Sequence, residues 1–387
     1  MIKKVAVLGA ATTKFGELWH TSPRMLIKES VGQALENSHL SPTDIDAIFV
    51  GNMLSGILGG QEHLGAFVSE ELGLNIPAVK IEGACASGGL AVHTGVNSIL
   101  SGNYQKVIVV GVEKMTDHKP EETTQALMGA GSDEERTAGA TFPSLYALIA
   151  RAHMKEYGTT EEQMAAVSVK NHYHASLNGK AQFTFPVTIE KVLNSPCIAS
   201  PLKLLDCSPV SDGSAAVILS SDDFARKQKN IKPVWIAASQ VATDSLGLSR
   251  RKTLTSLNSA VLASQKAYKK AGIKPLDIDV AEVHDCFTIA EIIAMEDLNF
   301  FKKGQAAEII ARGETTLGQG RLVVNTSGGL KASGHPVGAT GVKQIVEIVN
   351  QLRNEGGKKQ VKGAKIGLTH NVGGTGATAV IHILRSS

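Results

Sequence analysis

Cysteine is scarce in this 387-residue sequence. The four residues, Cys85, Cys197, Cys207 and Cys286, form no C-x-x-C pair. A zinc site therefore has no support, and scattered thiols in a chain this long point to free sulfhydryls in a reducing compartment. Aromatic residues are also few, at 4%. No apolar run reaches membrane-spanning length. Basic residues are dispersed: the one compact run is Arg250-Arg251-Lys252, too short for a nucleic-acid footprint, and 39 basic against 36 acidic side chains give a net charge of only +3. The start, Met1 to Gly9, has no signal-peptide pattern and looks like a first strand. The end, Leu384 to Ser387, carries no peroxisomal address. The expectation is a cytoplasmic protein that binds neither nucleic acid nor membrane.

Glycine, by contrast, is abundant at 39 residues, and hydrophobic residues make up 43%. That composition suits an α/β protein with many tight turns, and the length suits two domains or one duplicated architecture. Duplication is visible. Ala34 to Val50 and Ala267 to Val283 share a helix, a proline turn and an apolar strand, with Pro42, Asp44, Ile45 and Asp46 recurring as Pro275, Asp277, Ile278 and Asp279. Further strands are expected at Lys106 to Val112, Ser214 to Leu219, Ala364 to Thr369 and Ala377 to Ile383. The picture is two similar α/β halves, each with a mixed sheet between helices. Thr116 to Leu205 forms a different segment, with helices at Pro143 to Tyr157 and Glu161 to Leu177. An insertion of that kind is a usual place for substrate contacts.

Four motifs could carry chemistry. In Gly83-Ala84-Cys85-Ala86-Ser87-Gly88-Gly89, a strand runs into small residues and then a helix. A cysteine at a helix N-terminus is expected to have a lowered pKa, though a free thiol is more often a core residue. Gly334-His335-Pro336-Val337-Gly338-Ala339-Thr340-Gly341 sets a histidine in a glycine-rich turn before an expected helix from Val342 to Asn354. It is the partner a nucleophilic thiol needs, or simply a turn histidine. His284-Asp285-Cys286-Phe287 follows the repeated strand and places a histidine and a cysteine where both reach one pocket, or where they merely pack. His370-Asn371-Val372-Gly373-Gly374 is a glycine turn after a strand whose N–H groups could line an oxyanion hole; no G-K-[ST] follows to make it a phosphate loop.

Taken together and in this order, the motifs resemble the thiolase superfamily, over essentially the whole chain. Ser211 to Ala216, S-D-G-S-A-A, is similar to the segment closing the family's first half. H-D-C-F, with His370 where a second cysteine is usual, resembles the sterol-carrier-protein-type and archaeal-type acetoacetyl-CoA thiolases. The resemblance implies a five-layered α-β-α-β-α fold. It divides the chain into 1–117 with 206–230, an inserted loop domain at 118–205, and 231–387. Cys85 becomes the nucleophile, His335 its activator and Cys286 the acid/base. One oxyanion falls to the N–H of Cys85 and an N–H of the Val372–Gly374 turn, with Val372 and Gly373 as donors. A second falls to His284 and His335. Ser208, His370 and Asn371 are implied substrate contacts. Acetyl-CoA and CoA are then substrates, with no cofactor and no metal. The chain is expected to be a homodimer or homotetramer, with the strand Pro77 to Ile81 at the interface. HMG-CoA synthase and a zinc-containing OB-fold protein are expected partners, and the mevalonate pathway the expected setting. A degradative 3-ketoacyl-CoA thiolase, a β-ketoacyl synthase and a non-catalytic acyl-CoA-binding subunit are the alternatives.

Overall fold

The computed structural model describes residues 4–386. Met1 to Lys3, part of the expected first strand, lie outside them. The first half supplies β1 (Val5–Thr12), β2 (Ala47–Gly51), β3 (Ala78–Ile81) and β4 (Lys106–Glu113). The segment 118–205 contains a small hairpin, β5 (Cys197–Ala199) with β6 (Leu202–Lys203), and no strand of the main sheet. Then come β7 (Gly213–Ser221), β8 (Val234–Thr243), β9 (Val280–Glu282), β10 (Val323–Val324), β11 (Ile366–Gly373) and β12 (Thr378–Arg385).

Strand order shows the duplication directly: β10-β9-β11-β12-β8-β1-β7-β4-β2-β3. Read outward from the centre, each half repeats one plan, with two antiparallel partners first and then parallel ones. The halves join where β1 and β8 pair antiparallel, Val5 to Val7 against Val234 to Ile236. The recurring P-x-D-I-D turns perform the same task in both. Asp46 Oδ2 accepts the N–H groups of Gln105 and Lys106 at 2.7 and 2.8 Å, fixing the start of β4. Asp279 Oδ2 accepts those of Lys365 and Ile366 at 2.8 and 2.9 Å, fixing the start of β11.

Layering follows from side chains alternating along strands buried on both faces. Val107 and Val109 of β4 face inward with Val92, Val96 and Ile99 of helix Ser87–Ser101 and Val342, Ile345 and Val349 of helix Val337–Arg353. Ile108 and Val110 face outward against Leu26, Ile27 and Val31 of helix Pro23–Ser38. In the second half Leu368, Ile381 and Ile383 pack outward on Ala260, Ala263 and Ala267 of helix Asn258–Ala271. Five layers result, with helices Ser87–Ser101 and Val337–Arg353 in the middle. Helix Phe142–Tyr157 and helix Glu161–Ser176 of the insertion join the core of the second half.

Candidate active site

The two central helices meet almost backbone to backbone. A Cβ on Gly341 would lie 2.2 Å from the nitrogen of Gly89, and one on Gly88 would lie 2.7 Å from the carbonyl oxygen of Gly338. The glycines of both motifs permit this crossing, which brings the two helix starts face to face. Helix Val337–Arg353 also begins five residues earlier than its glycines suggest, so His335 lies two residues before its first turn.

Cys85 occupies a 3₁₀ turn, Ala84–Ala86, directly before helix Ser87–Ser101. Ala84 has φ 53°, a left-handed conformation costing roughly 1–2 kcal/mol for a residue with a Cβ. The sharp turn points Cys85 at the opposite helix. Cys85 Sγ and ring nitrogens of His284 and His335 lie within 4.8 Å of one another. The two imidazoles are nearly perpendicular, with centroids 5.0 Å apart.

Hydrogen bonds fix which nitrogen carries each proton. Thr340 Oγ1 donates to Pro336 O at 3.0 Å, so it accepts from His335 Nδ1 at 2.7 Å. His335 Nε2 is therefore left as a lone-pair base. Asn371 Oδ1 accepts from Gly89 N–H at 3.1 Å, which orients its amide nitrogen toward Cys85 O at 3.0 Å and His284 Nδ1 at 3.3 Å. His284 Nδ1 thus accepts, and the proton sits on Nε2, buried and without a hydrogen-bond partner among the described residues. One histidine is a base and the other a donor, each in a single tautomer. The His335 backbone N–H donates in turn to Ser211 Oγ at 2.9 Å.

Burial dominates the site's proton affinities. It pushes the Cys85 thiol up to about 12, against hydrogen bonds from the Gly374 N–H and its own N–H. The helix start does not produce the resting thiolate expected from sequence. Desolvation outweighs it, and the thiol is protonated until a base removes the proton. Burial holds His335 down to about 3, keeping it a neutral base, and depresses His284 well below its ordinary value with help from His335 and His370. Burial also raises Cys286, and the neighbouring Cys85 adds to the rise, while a hydrogen bond with Tyr146 opposes it. Glu113 is pushed up to about 7 by burial despite donors including Met53, Leu54 and Gly338 N–H. Its bond to Gly338 pins the first turn of the histidine helix to the end of β4.

A cavity of about 160 Å³ opens onto these groups, lined by Cys85, Ser208, His284, Cys286, His335 and Gly374 among others. Ser208 donates its N–H to Cys286 O at 2.9 Å, joining the cavity wall to the H-D-C-F turn. His370 and Asn371 do not reach the wall. His370 stands behind it, its Nδ1 3.5 Å from the His284 N–H, and Asn371 orients His284. Side chains alternate along β11, so Asn371 faces the central helices and His370 the opposite face shared with Leu368, and each supports the wall from behind. The glycine-turn donor facing the Cys85 thiol is Gly374, one residue beyond Val372 and Gly373, which pair with Ala379 and Thr378 as the last rungs of β11. Tyr146, Thr340 and Glu113 were not singled out from sequence. Thr340 lies within a quoted motif. Tyr146 and Glu113 had no local signal.

A thiol, a neutral imidazole base, a second imidazole donor and a second thiol around one pocket can take up an acyl group and pass it on. On a duplicated five-layered α/β scaffold, this is the architecture of the thiolase class. The family described as Thiolase, N-terminal domain matches residues 5–223, and Thiolase C-terminal domain-like matches residues 240–386. The chain belongs to the thiolase family and is an acyltransferase. It is 50% identical to an acetyl-CoA acetyltransferase of Methanothermobacter thermautotrophicus, covering 99% of both chains. It is 48% identical to an acetyl-CoA acetyltransferase of Methanocaldococcus jannaschii, again covering 99% of both. The solved structure titled Ltp2-ChsH2(DUF35) aldolase superposes with a TM-score of 0.84 at 26% identity, covering 99% of this chain and 98% of that one.

Proposed function

We propose that the chain is an acetyl-CoA C-acetyltransferase that joins two acetyl-CoA molecules into acetoacetyl-CoA and CoA. The approach of Cys85, His335 and His284 within 4.8 Å carries the reading. His335 Nε2 takes the Cys85 proton as the sulfur attacks the thioester carbonyl. The N–H groups of Cys85 and Gly374 receive the oxyanion, and CoA leaves with the proton from His335. A second acetyl-CoA then places its thioester oxygen against His284 Nε2–H and against His335 Nε2 once that nitrogen is protonated again. Cys286, having passed its thiol proton to the freed His335 Nε2, removes a methyl proton as a thiolate; the carbanion attacks the acetyl group, and Cys85 is expelled and recovers the proton from His335. The chemistry draws on these side chains and CoA thioesters, without metal or prosthetic group. Ser208 stands at the wall where the pantetheine arm would enter.

The high identity to two acetyl-CoA acetyltransferases over full length supports acetyl-CoA as substrate. Mevalonate synthesis is the proposed setting and the cytoplasm the proposed location; no helix among the described residues is long and apolar enough to cross a membrane. HMG-CoA synthase and a zinc-containing OB-fold protein remain the proposed partners, and the likeness to the Ltp2-ChsH2(DUF35) aldolase supports an assembly with a second protein. A homodimer or tetramer is proposed through β3, an edge strand paired only with β2 and exposing Val79 by 52%. Sedimentation is expected to show at least a dimer; a stable active monomer refutes this.

Incubation with acetyl-CoA followed by intact mass tests the central claim. One acetyl group is expected on the parent chain and none on Cys85→Ser, and labelling that survives Cys85→Ser would move the nucleophile elsewhere.

A further inference from the structure

Tyr146 belongs to the inserted helix Phe142–Tyr157, far in sequence from every motif, yet its ring is buried in the cavity wall. The ring stacks on Phe287 with centroids 4.6 Å apart. Its hydroxyl donates to Gly374 O at 3.2 Å and shares the cavity wall with the Cys286 thiol, near enough to favour the thiolate. Two groups central to the chemistry, the acid/base sulfur and the turn that carries an oxyanion donor, therefore meet at one phenol. The hydroxyl has a single proton and two lone pairs. It cannot donate to both neighbours at once.

We propose that the Tyr146 hydroxyl is a catalytic group of the condensation half-reaction, donating to Gly374 O while Cys286 is a thiol and to the Cys286 sulfur while it is a thiolate. The inference rests on the assignment of Cys286 above. In the thiol state the S–H donates to the phenol oxygen and the phenol donates to the carbonyl. When Cys286 passes its proton to the neutral His335 Nε2, the hydroxyl turns and donates to the sulfur. Methyl deprotonation reverses the turn: the C–H bond breaks, its electron pair remains on carbon, and the proton forms the S–H bond. The phenol itself stays protonated throughout, as its burial and the nearby sulfurs require. The same movement frees or occupies Gly374 O, so the oxyanion turn registers the protonation state of Cys286.

The test is Tyr146→Phe, which keeps the ring on Phe287 and removes only the hydroxyl. With acetyl-CoA as the probe, Cys85 acetylation is expected within about threefold of the parent, which also shows that the variant folds. Hydrogen–deuterium exchange at the acetyl-CoA methyl and condensation are expected to fall roughly 10- to 100-fold, the worth of one hydrogen bond to a charged group. The rising limb of the exchange–pH profile is expected to move to higher pH, since the thiolate loses its donor. In a Cys286→Ala background, Tyr146→Phe is expected to add less than about twofold. An unchanged exchange rate and pH profile overturns the proposal. So does loss of Cys85 acetylation in Tyr146→Phe, or a full additional loss in the Cys286→Ala background. A parent chain that never acetylates Cys85 overturns the functional reading and this inference together, which distinguishes the two failures.

Discussion

Cys286 and His370 were rival acid/base groups on sequence, since His370 stands where the family usually has its second cysteine. The structure separates them: Cys286 lines the cavity, and His370 lies behind His284 with its Nδ1 against the His284 backbone. Cys286→Ala is therefore expected to leave acetyl transfer to Cys85 intact and to lower condensation by roughly 10²- to 10⁴-fold, as loss of a general acid/base does. His370→Ala is expected to cost condensation less than about tenfold, through displacement of His284. Methyl hydrogen–deuterium exchange compares the two directly. Exchange near the parent rate in Cys286→Ala and lost in His370→Ala would reverse the assignment. Cys85, His335 and Cys286 were legible because each sits in a short motif of unusual composition. Tyr146 was not, because its partner Gly374 is 228 residues away and no local pattern announces the contact.

At the level of elements, the duplicated turn makes a quantitative claim. Asp46 and Asp279 each accept two backbone N–H groups at the entry of a parallel strand. Asp46→Ala and Asp279→Ala are each expected to destabilise the fold by about 1–3 kcal/mol. They share no partners and serve different half-sheets, so the double variant is expected to be additive within about 0.5 kcal/mol. Urea unfolding measures all three. A negligible loss in either single variant would show that the repeat is a sequence echo without an energetic role. The repeat was readable because helix, proline turn and strand are local features. The start of helix Val337–Arg353 was misplaced by five residues for the opposite reason. Gly338 and Gly341 have poor helix propensity, and the contact with Gly88 and Gly89 that requires them comes from the other half of the chain.

For the molecule as a whole, buried imidazoles set a limit on acid tolerance. Burial holds His174, His335, His370 and His382 at about 3. Unfolded, each takes a proton below pH 6.5, which the native chain refuses until about pH 3. Their stabilising contribution is complete above pH 6.5 and drains as pH falls through that window, by about 1.4 kcal/mol per pH unit for each group. Glu113 acts in the opposite sense: its folded value near 7 exceeds the ordinary 4.5, so its contribution is complete below 4.5 and is lost as pH rises to about 7. The histidines outnumber it. Stability is expected to decline steeply from pH 6.5 to 5, and His174→Gln is expected to flatten that slope by about 1.4 kcal/mol per pH unit. Denaturant titrations at stepped pH give both slopes; a flat profile would mean that these imidazoles protonate in place.

The strand order pairs β3 with β10 as equivalent positions in the two halves, and each leads into a central helix. The same strand-to-helix junction thus occurs twice, once carrying the thiol and once its proton acceptor. Nucleophile and base are one device seen twice across a pseudo-dyad, like the jaws of a vice. Their spacing belongs to neither loop. It is set by the glycine-lined contact between two helices, so a slip between the halves would detune the chemistry before it unfolded either one.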